Sequence, residues 1–295
     1  ATLDKVVPAA RFVRDRVRYV ATAIGIGGYQ PRSASETLHT LWGDCKDTTL
    51  LLAALLRSAG IEAHPVLISA TMRETVSPEV PAAGSFDHAI LAVEIPEGPG
   101  DDPPPAAAKI DQLGWVVFVD ATDEHTSIGE LGPHLAGKLA LVAANGTGVL
   151  ARLPESKPGH HRVERLLEIT LGEQGDVAYE RQTRFHGAES WVRRRLYRES
   201  QSDYKEMREE DLRSLFVDLE PGEFVVEDEE EDGAFVEHFS WSIPRPLEAG
   251  EHKILPLFPG ATWLLPRVTI SRRTNPIEFE HPLTITYDVA VHGLD

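Results

Sequence analysis

Trp42-Gly43-Asp44-Cys45-Lys46-Asp47, followed by Thr48-Thr49-Leu50-Leu51-Leu52-Ala53-Ala54-Leu55-Leu56, contains the only cysteine of this 295-residue chain. A single thiol closes no internal disulfide and builds no cysteine-rich metal cluster, so it is either a buried filler or a nucleophile. Asp44 reads as an N-cap, and the apolar run after it reads as a helix ending at Ser58-Ala59 before Gly60. A cysteine in that first turn sits at the positive end of the helix dipole, beside backbone N–H groups that have no partner within the helix. Both favour the thiolate.

Outward from this helix, Leu3 to Val20 places Val6, Val7, Ala10, Val13, Val17 and Val20 at helical spacing, with Arg and Asp on the opposite face. The glycines at 25, 27 and 28 end that segment; they lack the spacing and preceding strand of a phosphate-binding loop. Ser33 and Glu36 stand at capping-box spacing before a short helix. Beyond Gly60 the period shortens. Ala63–Ala70, Phe86–Ile95 and Trp115–Asp120 read as three strands, separated by a loop with Pro78 and Pro81 and by a proline-rich excursion over 96–108. Helix first and antiparallel sheet second predicts an α+β class.

A boundary is expected near Leu153–His161, giving a core over 1–155 and a β-rich domain over 162–295. In that second half a hairpin is expected over Arg162–Leu171 and Gly175–Phe185. A charged helix or helix pair is expected over Ala188–Phe216, and strands over Glu223–Val226, Ala234–Ile243, Val268–Arg273 and Leu283–Val291.

A nucleophilic cysteine needs a base, and the base needs a group that fixes its tautomer. His88 sits early in the second strand and Asp120 ends the third, so antiparallel neighbours would set imidazole beside carboxylate. Taken singly, a strand histidine is a common structural residue and a strand-end aspartate a common turn former. The order helix-start Cys, strand His, strand-end Asp points to chemistry. Tyr29, Gln30 and Trp42 are candidates for a second oxyanion donor beside the Cys45 N–H. Elsewhere, the run Glu227–Asp232 lacks the spaced ligands of a calcium loop and reads as a solvated hairpin tip. His160-His161 falls in the linker, and His64, Asp123 and His125 are understudies. No cofactor or metal is called for.

With 47 acidic against 29 basic side chains the formal net charge is −18, which disfavours nucleic acid or an anionic membrane as partner. No apolar run reaches the roughly 20 residues of a membrane-spanning helix. The start, Ala1-Thr2-Leu3, has no initiator Met and reads as part of a longer polypeptide.

Tyr29-Gln30-Pro31, Glu36-Thr37-Leu38, Gly43-Asp44-Cys45-Lys46-Asp47, Leu51–Leu56 and Gly60-Ile61-Glu62-Ala63, with Phe86-Asp87-His88-Ala89 and Val119-Asp120-Ala121-Thr122, resemble the bacterial transglutaminase-like superfamily over roughly residues 5–150. The resemblance implies a papain-like fold and a Cys45–His88–Asp120 triad. It implies acyl transfer at a peptide or isopeptide amide through a thioester, on a protein or peptide substrate. Hydrolysis is the expected ending; cross-linking of glutamine to an amine, or a binding and scaffolding role, are the alternatives. Export to the periplasm is expected over the cytoplasm on the same ground.

Overall fold

The computed structural model describes residues 2–293 apart from 22–24, 71–75, 79–81, 145, 158, 174, 217, 230–232, 245–246, 250–251 and 255–280. The expected strand Val268–Arg273 lies outside the described residues. The chain divides into two compact units, Ala1–Ser156 and Lys157–Asp295.

The first unit mixes helix and sheet in an α+β arrangement. In chain order it contains α1 (Leu3–Arg16), β1 (Arg18–Tyr19), a 3₁₀ turn at Gly25–Gly28, α2 (Ala34–Thr40), β2 (Trp42–Gly43) and α3 (Cys45–Ser58). The strands β3 (Ala63–Ile68), β4 (His88–Glu94), β5 (Ala107–Ile110), β6 (Gly114–Val119), β7 (Leu139–Ala144) and β8 (Thr147–Arg152) follow. These six form one antiparallel sheet in the order β5-β6-β4-β3-β7-β8. β4 is central and buried at each of residues 89–93.

Helix α3 is held against that sheet by apolar burial and one directional bond. Leu51, Leu52 and Leu56 join Val6, Ala10 and Val13 of α1 and Ile90, Leu91 and Phe118 of the sheet in a single core. The Thr49 hydroxyl donates to the Ala89 carbonyl at 3.0 Å, which fixes how far α3 slides along β4. Gly60, at φ +77°, supplies the left-handed turn that ends the helix.

The reading of 3–20 as one helix is corrected. α1 ends at Arg16, Val17 is extended, and residues 18–19 pair in parallel with Trp42–Gly43 as a two-residue ladder. Val17-Arg18-Tyr19-Val20 is rich in β-branched and aromatic side chains, which prefer extended backbone once a partner strand is offered. β5, β7 and β8 lie where no strand was expected.

The second unit contains β9 (Arg162–Leu171), β10 (Val177–His186), α4 (Ala188–Glu199), α5 (Gln201–Arg213), β11 (Glu220–Glu229) and β12 (Ala234–Ile243). A small ribbon of β13 (Leu247–Ala249) and β14 (His252–Ile254) and a last strand, β15 (Thr284–His292), complete it. The sheet runs β11-β12-β10-β9-β15, antiparallel except for β15, which lies parallel to β9. Tyr179 and Trp241 stack at 5.0 Å in its core, which also takes Leu212 of α5. Of the acidic run expected as a solvated hairpin tip, residues 230–232 lie outside the described residues, and the described part is ion-paired. Asp228 pairs with Arg194 and Arg198, and Glu229 pairs with Arg184. His161 is buried, and its Nδ1 accepts the Ala188 N–H at 2.8 Å at the start of α4.

Candidate active site

The segment Gly43–Asp47 has a structural reason at each position. Asp44 caps α3, and with Asp47 it forms a reciprocal capping box. Asp47, 1% exposed, also takes the Arg32 backbone N–H at 2.8 Å and the Arg32 Nε at 3.0 Å. The Arg32 guanidinium in turn lies 3.7 Å from the centre of the Trp42 ring. Gly43 has no room for a side chain: a Cβ there would stand 2.7 Å from the Asp47 Cβ. Lys46 forms an ion pair with Asp44. Cys45 is therefore the first helical residue of a tightly braced turn, and it is the only cysteine.

The three residues singled out in sequence come together. His88 Nε2 is 2.7 Å from Asp120 Oδ2, and Cys45 lies near enough to act on the imidazole electrostatically and lines the same cavity. Asp120 is held on its other oxygen by the Thr122 backbone N–H at 2.8 Å and the Thr122 hydroxyl at 2.7 Å. Burial opposes the charged imidazole, but the Asp120 hydrogen bond and the attraction of Asp120 and Cys45 outweigh it, lifting His88 to about 10. Burial likewise opposes the Asp120 carboxylate. The His88 bond and charge and the Thr122 donors prevail, and Asp120 drops to about 2. A charged imidazolium locked to a carboxylate beside a thiol can exchange a proton with sulfur while its ring stays fixed.

Two further residues reach this centre without having been found in sequence. Tyr19 pairs with Gly43 in the β1–β2 ladder, which brings its phenol into the electrostatic reach of Cys45. Partial burial, then the charges of Cys45, Asp44 and Asp120, raise its phenol above the ordinary value, so it stays protonated as a donor. Arg14, read as part of the polar face of α1, donates to the Asp120 carbonyl at 2.7 and 3.2 Å and to the Thr126 carbonyl at 2.6 Å. The signal for Tyr19 was its extended, β-prone neighbourhood; Arg14 carries none.

The expected oxyanion donors fare differently. Trp42 lies under Arg32, and Gln30 is exposed. Tyr29 is 85% exposed and lines a cavity of about 510 Å³ that also takes in Cys45, Lys46 and His88. Of the understudies, His64 bonds Glu94 at 2.8 Å. Asp123 turns back on the His125 and Thr126 backbone N–H groups at 2.9 and 3.2 Å. No group of three or more metal-ligating side chains occurs among the described residues, and no helix among them is long and apolar enough to cross a membrane.

Comparison with known proteins found likeness chiefly in the N-terminal part of the chain. Residues 1–118 match the family model of the transglutaminase-like superfamily. A crystal structure of a "putative protease" from Parabacteroides distasonis ATCC 8503 aligns with 60% of this chain and 29% of that one, at 12% identity and a TM-score of 0.40. The chain thus spans under a third of that protein's length. No curated protein matches it. The likeness to the transglutaminase-like superfamily thus covers residues 1–118, less than half of the chain.

Proposed function

We propose that the first unit is a cysteine-dependent acyl transferase that acts on amide bonds and ends in hydrolysis. The observation that carries this reading is His88, which is hydrogen-bonded to Asp120 through Nε2 at 2.7 Å and lines one cavity with Cys45. In this reading the catalytic core is residues 1–155, a papain-like arrangement, and residues 162–295 form a separate β-rich domain with α4 and α5 inserted.

The Cys45 thiolate attacks the amide carbon. The C=O electron pair moves to oxygen and is received by the first-turn N–H of α3. As the carbonyl re-forms, the C–N bond breaks and the His88 imidazolium passes its proton to the leaving nitrogen, releasing the amine. Water then gives a proton to neutral His88 and adds to the thioester carbon, and collapse expels the thiolate and frees the acid. Asp120 keeps the imidazole oriented and compensates its charge throughout, while staying ionised itself.

The test is incubation of the full chain with a peptide library, with and without a fluorescent primary amine, followed by mass spectrometry. Cleavage that disappears in Cys45→Ser and falls at least about a hundredfold in His88→Ala supports the reading. Incorporation of the amine in excess of cleavage would replace hydrolysis by cross-linking. A Cys45 that iodoacetamide labels equally fast in the wild type and His88→Ala would overturn the assignment.

A further inference from the structure

The cavity beside Cys45 has a floor that the mechanism leaves unused. In the register of the sheet Ala89 pairs with Leu67, Leu67 with Leu141, and Leu141 with Leu150, so one transverse row leads from the neighbour of His88 across β3, β7 and β8. All four line the same cavity as Cys45 and His88. Leu67 and Leu150 are 40% and 41% exposed, a costly placement for two leucines one strand apart on either side of Leu141. Gly148, opposite Ala143, gives Leu141 its space: a Cβ at 148 would stand 2.8 Å from Leu141 Cδ1.

Apart from His88, the charged groups in the described lining are committed elsewhere. Lys46 is paired with Asp44, and Asp87 Oδ1 accepts the Ala70 N–H at 2.6 Å. No arginine stands in that lining to receive a carboxylate. An acidic or carboxamide side chain laid on this row would lose its water and find leucine methyl groups in exchange. An aliphatic or aromatic side chain would complete the burial that Leu67 and Leu150 lack.

We propose that Leu67, Leu141 and Leu150 form the acyl-side specificity pocket, and that the attacked carbonyl is a main-chain peptide carbonyl whose own residue carries an apolar side chain. The inference rests on the reading of Cys45 as nucleophile and deepens it by naming the substrate class. It places the side-chain carboxamide of glutamine outside the preferred donors.

Dipeptidyl chloromethyl ketones ending in Phe, Leu, Ala or Asp test this without requiring turnover. Thiolate sulfur bonds to the methylene carbon as chloride leaves, so each reagent reports how well its last side chain seats beside Cys45. Each labelling rate is divided by the same protein's rate with iodoacetamide, which has no side chain. Phe and Leu reagents should exceed Ala and Asp by about tenfold or more, the worth of one partly buried apolar side chain. Leu67→Glu and Leu150→Glu should abolish that ratio, and the milder Leu67→Ala with Leu150→Ala should reduce it if the charged variants fold poorly. Equal ratios in the wild type, or a preference that survives these substitutions, overturn the pocket while leaving the nucleophile in place. Iodoacetamide labelling that ignores His88→Ala overturns the nucleophile itself.

Discussion

Arg14 and Asp120 are joined through the backbone: two nitrogens of the guanidinium converge on the Asp120 carbonyl at 2.7 and 3.2 Å, while a third reaches Thr126. The aspartate that orients His88 is therefore fixed from two directions. Thr122 and His88 hold its carboxylate, and α1 holds its main chain. Arg14→Met keeps the aliphatic stem and removes the donors. It should cost about 2 kcal/mol in urea unfolding, the scale of hydrogen bonds to a charged group, and should slow Cys45 alkylation at pH 7. A stability loss with unchanged alkylation would confine Arg14 to a structural role.

Tyr19 is expected to hold the thiolate form of Cys45 through its hydroxyl. Tyr19→Phe preserves the ring and the β1 backbone that pairs with Gly43. Iodoacetamide labelling at pH 7 should fall by about tenfold, as for loss of one charge-assisted hydrogen bond, with little change in melting temperature. An unchanged rate would make the Tyr19–Cys45 contact incidental.

The His88–Asp120 pair predicts a pH window. His88 is raised from 6.5 to about 10, so its contribution to stability is complete below about 6.5 and fades as pH rises through 10. Asp120 is lowered from 3.8 to about 2, so its contribution is complete above about 4 and fades as pH falls through 2. The melting-temperature penalty of Asp120→Asn should therefore be largest between about pH 4 and 6.5 and shrink towards pH 2. In the same variant, the imidazole titration followed by NMR should move down towards the ordinary histidine value. A penalty independent of pH would mean that the pair is not ionised as described.

How much of this centre was legible follows from where its information resides. Asp44, Cys45 and Asp47 lie within four consecutive positions of one helix start, and capping chemistry is local, so sequence reveals it. His88 and Asp120 are far apart in sequence, but each opens or ends an apolar strand, which betrays it as a polar residue at a sheet margin. Tyr19 was hidden because β1 is two residues long and exists only through pairing with β2. Arg14 was hidden because a basic residue on a polar helix face looks the same whether it meets water or a carbonyl. β5 follows a proline-rich stretch, and β8 alternates only weakly, with Gly148 in its second position.

Gly43→Ala tests whether the turn before Cys45 tolerates any added volume. The new Cβ would meet the Asp47 Cβ at 2.7 Å and Arg32 Nη2 at 3.1 Å, and Asp47 is buried and bonded on all sides to the segment that positions α3. About 1–3 kcal/mol of overpacking cost is expected, together with slower Cys45 alkylation because the first turn must shift. Wild-type stability and alkylation in this variant would show that the loop yields freely.

The second unit offers a separate electrostatic test in Arg208 and Glu237, both 1% exposed and joined at 2.9 Å between α5 and β12. The Tyr204 hydroxyl donates to the same carboxylate. Burial pushes the Glu237 carboxyl up, but the Arg208 charge, supported by Arg193 and these hydrogen bonds, brings it down to about 2. Its contribution is thus present above the ordinary value of 4.5 and lost as pH falls through 2. Glu237→Leu alone strands a buried guanidinium and should cost about 3–5 kcal/mol, read as faster hydrogen exchange in β10 and β12. The double change Arg208→Met with Glu237→Leu removes both charges and should recover most of that loss, since a buried ion pair replaced by apolar side chains is often neutral. Failure of the double variant to recover would show that Arg208 stabilises chiefly through its other partner, Asp211, at 2.8 Å.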